Sequence, residues 1–385
     1  MDGMERRPLG RTSMSVSAVS LGTEYLLNKP VGQVREVIHE AVELGVAYFD
    51  LFWAQPHFRD ALGAAFVGLR DRVHLAAHLG AVAPSGEHEV SRDPALAERF
   101  FEDFLARYHT DYVDVLLLHN INDQPDLERV MGPAGLLEVA QRLVKQGKAR
   151  AIGFSGHSIP IAREALESGA IDLLMFPINL AGHAIPGRRE LLVYCQEQGI
   201  AVVAMKPYAG GKLLTPSRTL LIESWQRGTA GSVDVPPSEV EKASGLRPIT
   251  PVQCLAYALA QPGVVTAVPG CADVRQLREA QAYGRASAAD LDFAEALADF
   301  AEPASGECVY CNHCLPCPVG IDVGATIRAL ESATWLDAKA LASAYRALPV
   351  SPAACTDCGT CGERCPFGVD APTKVLAAAA RFAAL

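Results

Sequence analysis

The sequence predicts an α/β protein: a (β/α)8 barrel over residues 1–303, followed by a small C-terminal domain over residues 304–385. Two observations carry this. Eight short apolar runs alternate with amphipathic helical patterns between residues 16 and 283, and eight of the eleven cysteines fall from residue 308 onward. Composition permits it, because 385 residues with 50% hydrophobic and 20% charged content can bury one large core and a smaller appended one.

The strand-like runs are residues 16–21, 47–50, 73–79, 113–119, 149–154, 171–177, 201–205 and 264–268. Between them lie helical patterns such as Val34, Val37, Ile38, Ala41 and Val42, or Leu136, Leu137, Ala140, Leu143 and Val144 ahead of Gly147. Asp93-Pro94 reads as an N-cap and first-turn pair for a helix ending near Tyr108. Eight strands with intervening helices close into a TIM barrel, where chemistry collects at the C-terminal strand ends. Those ends are Gly22-Thr23, Asp50, His78, His119, Ser155-Gly156, Asn179, Lys206-Pro207 and Pro269-Gly270. Residues 215–250, rich in Ser, Gly and Pro, read as a long loop over one barrel mouth. A last helix is expected over 288–300, with the domain boundary at Glu302-Pro303.

A net charge of -10 and a pI near 5.5 leave no broad basic surface for a phosphate backbone. Small molecules and protein redox partners fit better than nucleic acid. Arg6-Arg7 raises the question of twin-arginine export, but Arg11, Thr12, Ser13, Ser15 and Ser17 break up the segment where an apolar export core would stand. With no apolar run long enough to span a bilayer, the chain is expected in the cytoplasm and off the membrane.

The cysteines form two sets, Cys308-x2-Cys311-x2-Cys314-x2-Cys317-Pro318 and Cys355-x2-Cys358-x2-Cys361-x3-Cys365-Pro366. Both are similar to the bacterial ferredoxin run, the first being one residue shorter before its last cysteine. In that run three thiolates hold one [4Fe–4S] cube while the fourth reaches the neighbouring cube. Cys308, Cys311, Cys314 and Cys365 would then hold one cluster, and Cys355, Cys358, Cys361 and Cys317 the other. The C-terminal domain is thus expected to be a ferredoxin-like iron–sulfur domain. Paired zinc sites and disulfides are the alternatives.

Further stretches carry a resemblance: Gly45-Val-Ala-Tyr-Phe-Asp50, the run from Asp111 to His119, Gly153-Phe-Ser-Gly-His157, Ala204-Met-Lys-Pro207 and Val268-Pro-Gly270 resemble aldo-keto reductases. The subgroup with a C-terminal ferredoxin-like module is the one most similar. The resemblance implies hydride transfer from NADPH to a carbonyl by an Asp, Tyr, Lys, His tetrad. Asp50 and His119 match its first and last members. Gln55 stands at the tyrosine position and His78 at the lysine position; glutamine has no acidic proton to give, and histidine titrates where lysine stays charged. By the same resemblance Ser155 meets the nicotinamide amide and Gly270 lies where the 2'-phosphate is gripped, with Arg275 as a substitute. Gly22 and Asn179 are the remaining strand-end candidates for NADP(H). Gly156, Met175 and Met205 replace residues that the family places on that cofactor.

Asp50, His78 and His119 are therefore the candidate catalytic residues, with Asp50 and His78 facing each other at adjacent strand ends. His57, Tyr25 and Tyr208 are alternatives for the missing acid, each equally readable as polar lining. Trp53 reads as pocket wall or packing, and Lys206 as a partner for phosphate or carboxylate or as a solvated strand end. The expectation is an oxidoreductase acting on a small polar carbonyl, hydroxyl or sugar-like compound, its electrons passed through two [4Fe–4S] clusters to ferredoxin or another carrier protein. One alternative is an NADPH-dependent reductase with structural or sensing clusters. Another is a non-redox lyase or isomerase using Asp50 and His119.

Overall fold

The structure, a computed structural model, describes residues 4–214, 249–298, 300, 308, 314–315, 317–332, 341–342, 345–346, 348, 350–365 and 368–383. The expected loop over 215–250 lies almost entirely outside these residues, as do the boundary at Glu302-Pro303 and Cys311. The chain divides into two compact units, one of residues 1–179, 185–207 and 255–292, the other of residues 180–184, 208–254 and 293–385.

In the first unit a hairpin, Arg6–Pro8 (β1) with Ser15–Ser17 (β2), precedes a parallel sheet of eight strands. The sheet runs Leu21–Gly22 (β3), Tyr48–Leu51 (β4), His74–Leu79 (β5), Val113–Leu118 (β8), Ala149–Ser155 (β9), Leu173–Pro177 (β10), Ala201–Met205 (β11) and Val264–Val268 (β12). Parallel bridges Val19↔Ala267 and Gly22↔Gly270 join its two edges, so the sheet is a nearly closed (β/α)8 barrel. A second short hairpin, Ala81–Val82 (β6) with Glu89–Val90 (β7), comes after β5. The helices obey the periodicity: Val31–Glu43 (α1) buries Val34, Val37, Ile38, Ala41 and Val42. Asp93 caps Pro94–Arg107 (α3) by accepting from the Leu96 amide at 3.0 Å.

Two expectations need correction. The run 16–21 is not one strand, because Ser15–Ser17 pairs with the N-terminal segment, while Val19 and Leu21–Gly22 pair into the barrel. That hairpin carries Leu9, Met14 and Val16 into the cluster of inward-facing barrel residues, so the barrel floor is plugged by sequence that precedes the first barrel strand. The helix expected over 288–300 is reduced to Ala294–Ala298. Ahead of it the Ser287 hydroxyl donates to Asp290 Oδ2 at 2.7 Å, the local side-chain bonding that competes with helix.

In the second unit the helices Val323–Ser332 and Ala371–Phe382 flank a core of Ile321, Val323, Ile327, Val369, Ala371 and Val375. Among the described residues no helix is long and apolar enough to cross a membrane.

Candidate active site

Side chains alternate along a strand, so the inward positions of each barrel strand can be traced to its C-terminal end. Tyr48, Ala76, Val115, Leu117 and Ala151 belong to the barrel core. Two residues beyond the last of these on each strand stand Asp50, His78, His119 and, after Gly153, Ser155. The apolar interior thus gives way to polar groups at one end of the barrel.

Asp50, His78 and His119 are 5%, 6% and 6% exposed and form one chain of hydrogen bonds. His78 Nε2 lies 2.8 Å from Asp50 Oδ1, and His78 Nδ1 lies 2.8 Å from His119 Nδ1. An ionised carboxylate only accepts, so His78 Nε2 carries a proton. A single further proton then occupies the Nδ1–Nδ1 contact. With no extra proton on the chain, His119 Nδ1–H donates to His78 and His119 Nε2 carries no proton. With one added, His78 donates instead and His119 Nε2 becomes an N–H donor. The expected facing of Asp50 and His78 is present, and the direct bond to His119 extends it into a relay.

Aromatic rings wall this relay. Phe52 stacks on His119 at 6.2 Å and 17°. His88, from the β6–β7 hairpin, stands perpendicular to Trp53 at 4.9 Å and to His119 at 5.4 Å. Burial pushes the His88 imidazole down to about 3, helped by the charges of His78 and Arg59, so it remains neutral beside the relay. Its Nδ1 is buried with no hydrogen-bond partner among the described residues. Trp53 is held by Arg59 Nε on its carbonyl at 3.3 Å, and its indole N–H donates to the Glu24 carbonyl at 3.3 Å. Neither His88 nor Glu24 was expected from sequence. The available signal for His88 was the turn sequence Pro84-Ser85-Gly86 after the apolar Ala81-Val82-Ala83.

Glu24 lies across the seam between β3 and β12. A Cβ on Gly22 would sit 2.7 Å from Glu24 Oε2, and one on Gly270 would sit 2.8 Å from Oε1. Glycine at both strand ends is what lets the carboxyl lie there. Burial raises this carboxyl from an ordinary 4.5 to about 7, with Asp50 adding to the rise, while its own amide and Lys206 oppose it. A carboxyl raised in the fold lowers stability as the unfolded chain ionises, from about pH 4.5 upward, with the penalty complete above about pH 7. Glu24→Gln is therefore expected to melt with the wild type near pH 4 and above it near pH 8, by about 1–3 kcal/mol once discounted for partial exposure. Superimposable melting curves at both values would contradict this placement.

The other expected residues have varied settings. Ser155 is buried at the end of β9, and its hydroxyl has no hydrogen-bond partner among the described residues. Gly156 leaves no room for a side chain, because a Cβ would come 2.5 Å from the Ile121 carbonyl oxygen. Asn179 uses its amide to donate to the Lys206 carbonyl at 2.9 Å. Gly270 is covered by the Tyr25 ring and Glu24. Arg275 is exposed and paired with Glu279 at 2.9 Å. Gln55 is buried as the residue before Pro56–Phe66 (α2), its Oε1 unpartnered among the described residues. His57 is exposed, with Nε2 3.3 Å from Asn28 Oδ1, and is not part of the relay. Met175 joins the barrel core and Met205 packs against it. Tyr208 belongs to the second unit.

In the second unit Cys308, Cys314, Cys317, Cys355, Cys361 and Cys365 all pack against the core of Ile321, Val323 and Val375. Cys314, Cys317, Cys355, Cys358 and Cys361 line one pocket, so thiols from both sequence sets meet. The Asp357 amide donates to Cys355 Sγ at 3.4 Å. Among the described residues no three His, Cys, Asp or Glu side chains are grouped closely enough to hold a metal ion.

A (β/α)8 barrel whose mouth gathers a carboxylate and two imidazoles at adjacent strand ends defines a barrel-mouth enzyme. The model of the aldo/keto reductase family matches residues 18–298. An uncharacterised oxidoreductase of Bacillus subtilis is 26% identical over 286 residues, 72% of this chain and 90% of that protein. The L-galactose dehydrogenase of Arabidopsis thaliana is 26% identical over 229 residues, 55% of this chain and 68% of that protein. Among solved structures, an aldo-keto reductase of Bacillus halodurans in its holo form superposes with a TM-score of 0.61 at 24% identity, covering 78% of this chain and 97% of that one. The chain belongs to the aldo/keto reductase family and is an oxidoreductase.

Proposed function

We propose that the barrel transfers hydride between a nicotinamide dinucleotide and a small hydroxyl or carbonyl compound, with His119 moving the accompanying proton. The C-terminal cysteines hold two [4Fe–4S] clusters in a structural or sensing role. The observation that carries the catalytic part is the hydrogen-bonded chain Asp50–His78–His119. Family membership supports direct hydride chemistry over the passage of electrons through clusters, and it gives no support to a non-redox lyase or isomerase.

A bound nicotinamide supplies or accepts the hydride. Ser155, with a hydroxyl that nothing else among the described residues engages, fits the carboxamide of that ring. The residues do the proton work. In reduction, the protonated relay gives His119 Nε2–H to the substrate oxygen, and the His78 Nδ1 proton moves to His119 Nδ1 as it leaves. Both rings end neutral, Asp50 keeps its bond to His78 Nε2, and one proton has been delivered. Oxidation runs the same path backward, with His119 Nε2 accepting the hydroxyl proton. Gln55 has no proton to contribute as an acid, so the relay replaces the phenol. The resemblance to L-galactose dehydrogenase supports a polyhydroxylated, sugar-like substrate. The thiol clustering supports a cytoplasmic location.

The pocket shared by five cysteines favours retaining a second reading, in which the clusters pass electrons to a ferredoxin-like carrier. Anaerobically purified full-length chain, assayed with NADP+ against a panel of sugars including L-galactose, separates the two. Nicotinamide reduction that survives replacement of the cluster cysteines is the expected result. Turnover only with a one-electron acceptor, and none with nicotinamide, would overturn the hydride reading.

A further inference from the structure

His119 enters the relay at the point where its strand ends. Its amide still follows the sheet, donating to the Leu79 carbonyl at 3.0 Å, and two residues later the Ile121 amide donates to the Ser155 carbonyl at 2.9 Å. Between them Asn120 has φ +51°, in the left-handed region where a strand cannot continue. The side chain of Asn120 is held as well, its Oδ1 accepting from Asn122 Nδ2 at 2.7 Å. The direction of the His119 ring therefore depends on what fixes this turn.

Arg92 fixes it. Nη1 donates to the His119 carbonyl and Nη2 to the Asn120 carbonyl, each at 2.8 Å, so the two carbonyls that flank the Asn120 Cα are gripped by one guanidinium. Nη2 also meets Asp126 Oδ2 at 2.7 Å, and with the Arg92 side chain only 10% exposed that carboxylate balances a charge largely withdrawn from water. Asp126 stands in the first turn of the helix Gln124–Met131 (α4), its amide donating to the Asp123 cap at 2.8 Å. On the other side, the Ser91 amide donates to the Gly80 carbonyl at 2.8 Å and closes the β6–β7 hairpin. Arg92 is thus anchored at the base of the hairpin that carries His88. A planar fork of donors suits two adjacent carbonyls; a single ammonium does not.

We infer that Arg92 is a positioning residue, which by gripping the turn at Asn120 aims the His119 ring and maintains the 2.8 Å contact between His119 Nδ1 and His78 Nδ1. Its effect on turnover rests on the proton role proposed for His119, whereas the placement of the ring does not.

The test reads the ring itself, in full-length chain isotope-labelled at the histidine nitrogens. The His119 signals are identified by their loss in His119→Ala, and the Nδ1 signal reports the bond to His78. Arg92→Met is expected to move that signal toward the position of a solvent-exposed imidazole, and Arg92→Lys to move it less. Arg70→Met is the control, because Arg70 makes a similar clamp at the opposite ends of β5 and β8. It donates to the Val73 and Tyr112 carbonyls at 2.9 and 3.1 Å and meets Asp114 at 2.8 Å. Its loss should lower the melting temperature and leave the His119 signal in place. In NADP+ reduction by L-galactose, Arg92→Met should lose about 10- to 100-fold in kcat, the cost of misplacing a reacting group by roughly an ångström. On the His119→Ala background it should lose nothing further. A moved signal with unchanged turnover would sustain the positioning and overturn the proton role of His119. An unmoved signal in Arg92→Met, or in Arg92→Lys should the methionine variant not fold, would overturn the inference, as would an equal displacement in Arg70→Met.

Discussion

His119→Ala is expected to lower kcat by about 10²- to 10⁴-fold, the range of a lost general acid–base group, with iron content and fold retained. Its ring is the last member of the relay, and neither neighbour replaces it. His78 points its second nitrogen at His119, and His88 is held neutral down to about pH 3 by its burial. Asp50→Asn is expected to fall nearly as far for a different reason. An asparagine oxygen can still accept from His78 Nε2, so geometry persists while the charge that stabilises a protonated relay is gone. In both variants the loss should appear in kcat and kcat/KM together, as for a group acting in the transition state. Near-normal turnover by either variant would place the chemistry elsewhere.

Iron content is expected to be about eight atoms per chain in anaerobically purified protein, and about four after Cys355→Ser. The pairing is testable because Cys317 shares a pocket with Cys355, Cys358 and Cys361 although 38 positions separate it from the second set. If Cys317 and Cys355 serve one cluster, the double variant Cys317→Ser/Cys355→Ser loses no more iron than either single variant. If they serve different clusters, the double variant loses nearly all of it. Stoichiometric zinc with negligible acid-labile sulfide would contradict the cluster assignment outright.

Much of the barrel was legible because apolar runs and helical periodicity are local signals. Seven of the strands match their runs closely, and α1 and α3 bury or cap the residues that periodicity singled out. The first strand was misread because residues 16–21 are uniformly buried, so nothing in their pattern separates the part that pairs with Arg6–Pro8 from the part that enters the barrel. Asp50, His78 and His119 could be found because strand ends and family positions coincide. Glu24 could not, since its setting is made by Gly22 and Gly270, which are distant in sequence and meet only when the barrel closes. His88 escaped for a similar reason: its contacts with Trp53 and His119 arise from a hairpin inserted after β5.

The relay itself is most directly tested by the pH dependence of kcat/KM for His78→Lys beside wild type, on the same substrate in the direction of carbonyl reduction. His78 sits between the carboxylate and His119, so under the proposed path replacing it by a more basic group changes the proton supply to His119. Lysine holds a proton to much higher pH than histidine, about 10.4 against 6.5 for the free side chains. The alkaline limb is expected to move up by at least about one unit in His78→Lys while activity persists. An alkaline limb that stays where it is in the wild type would contradict a proton path through His78.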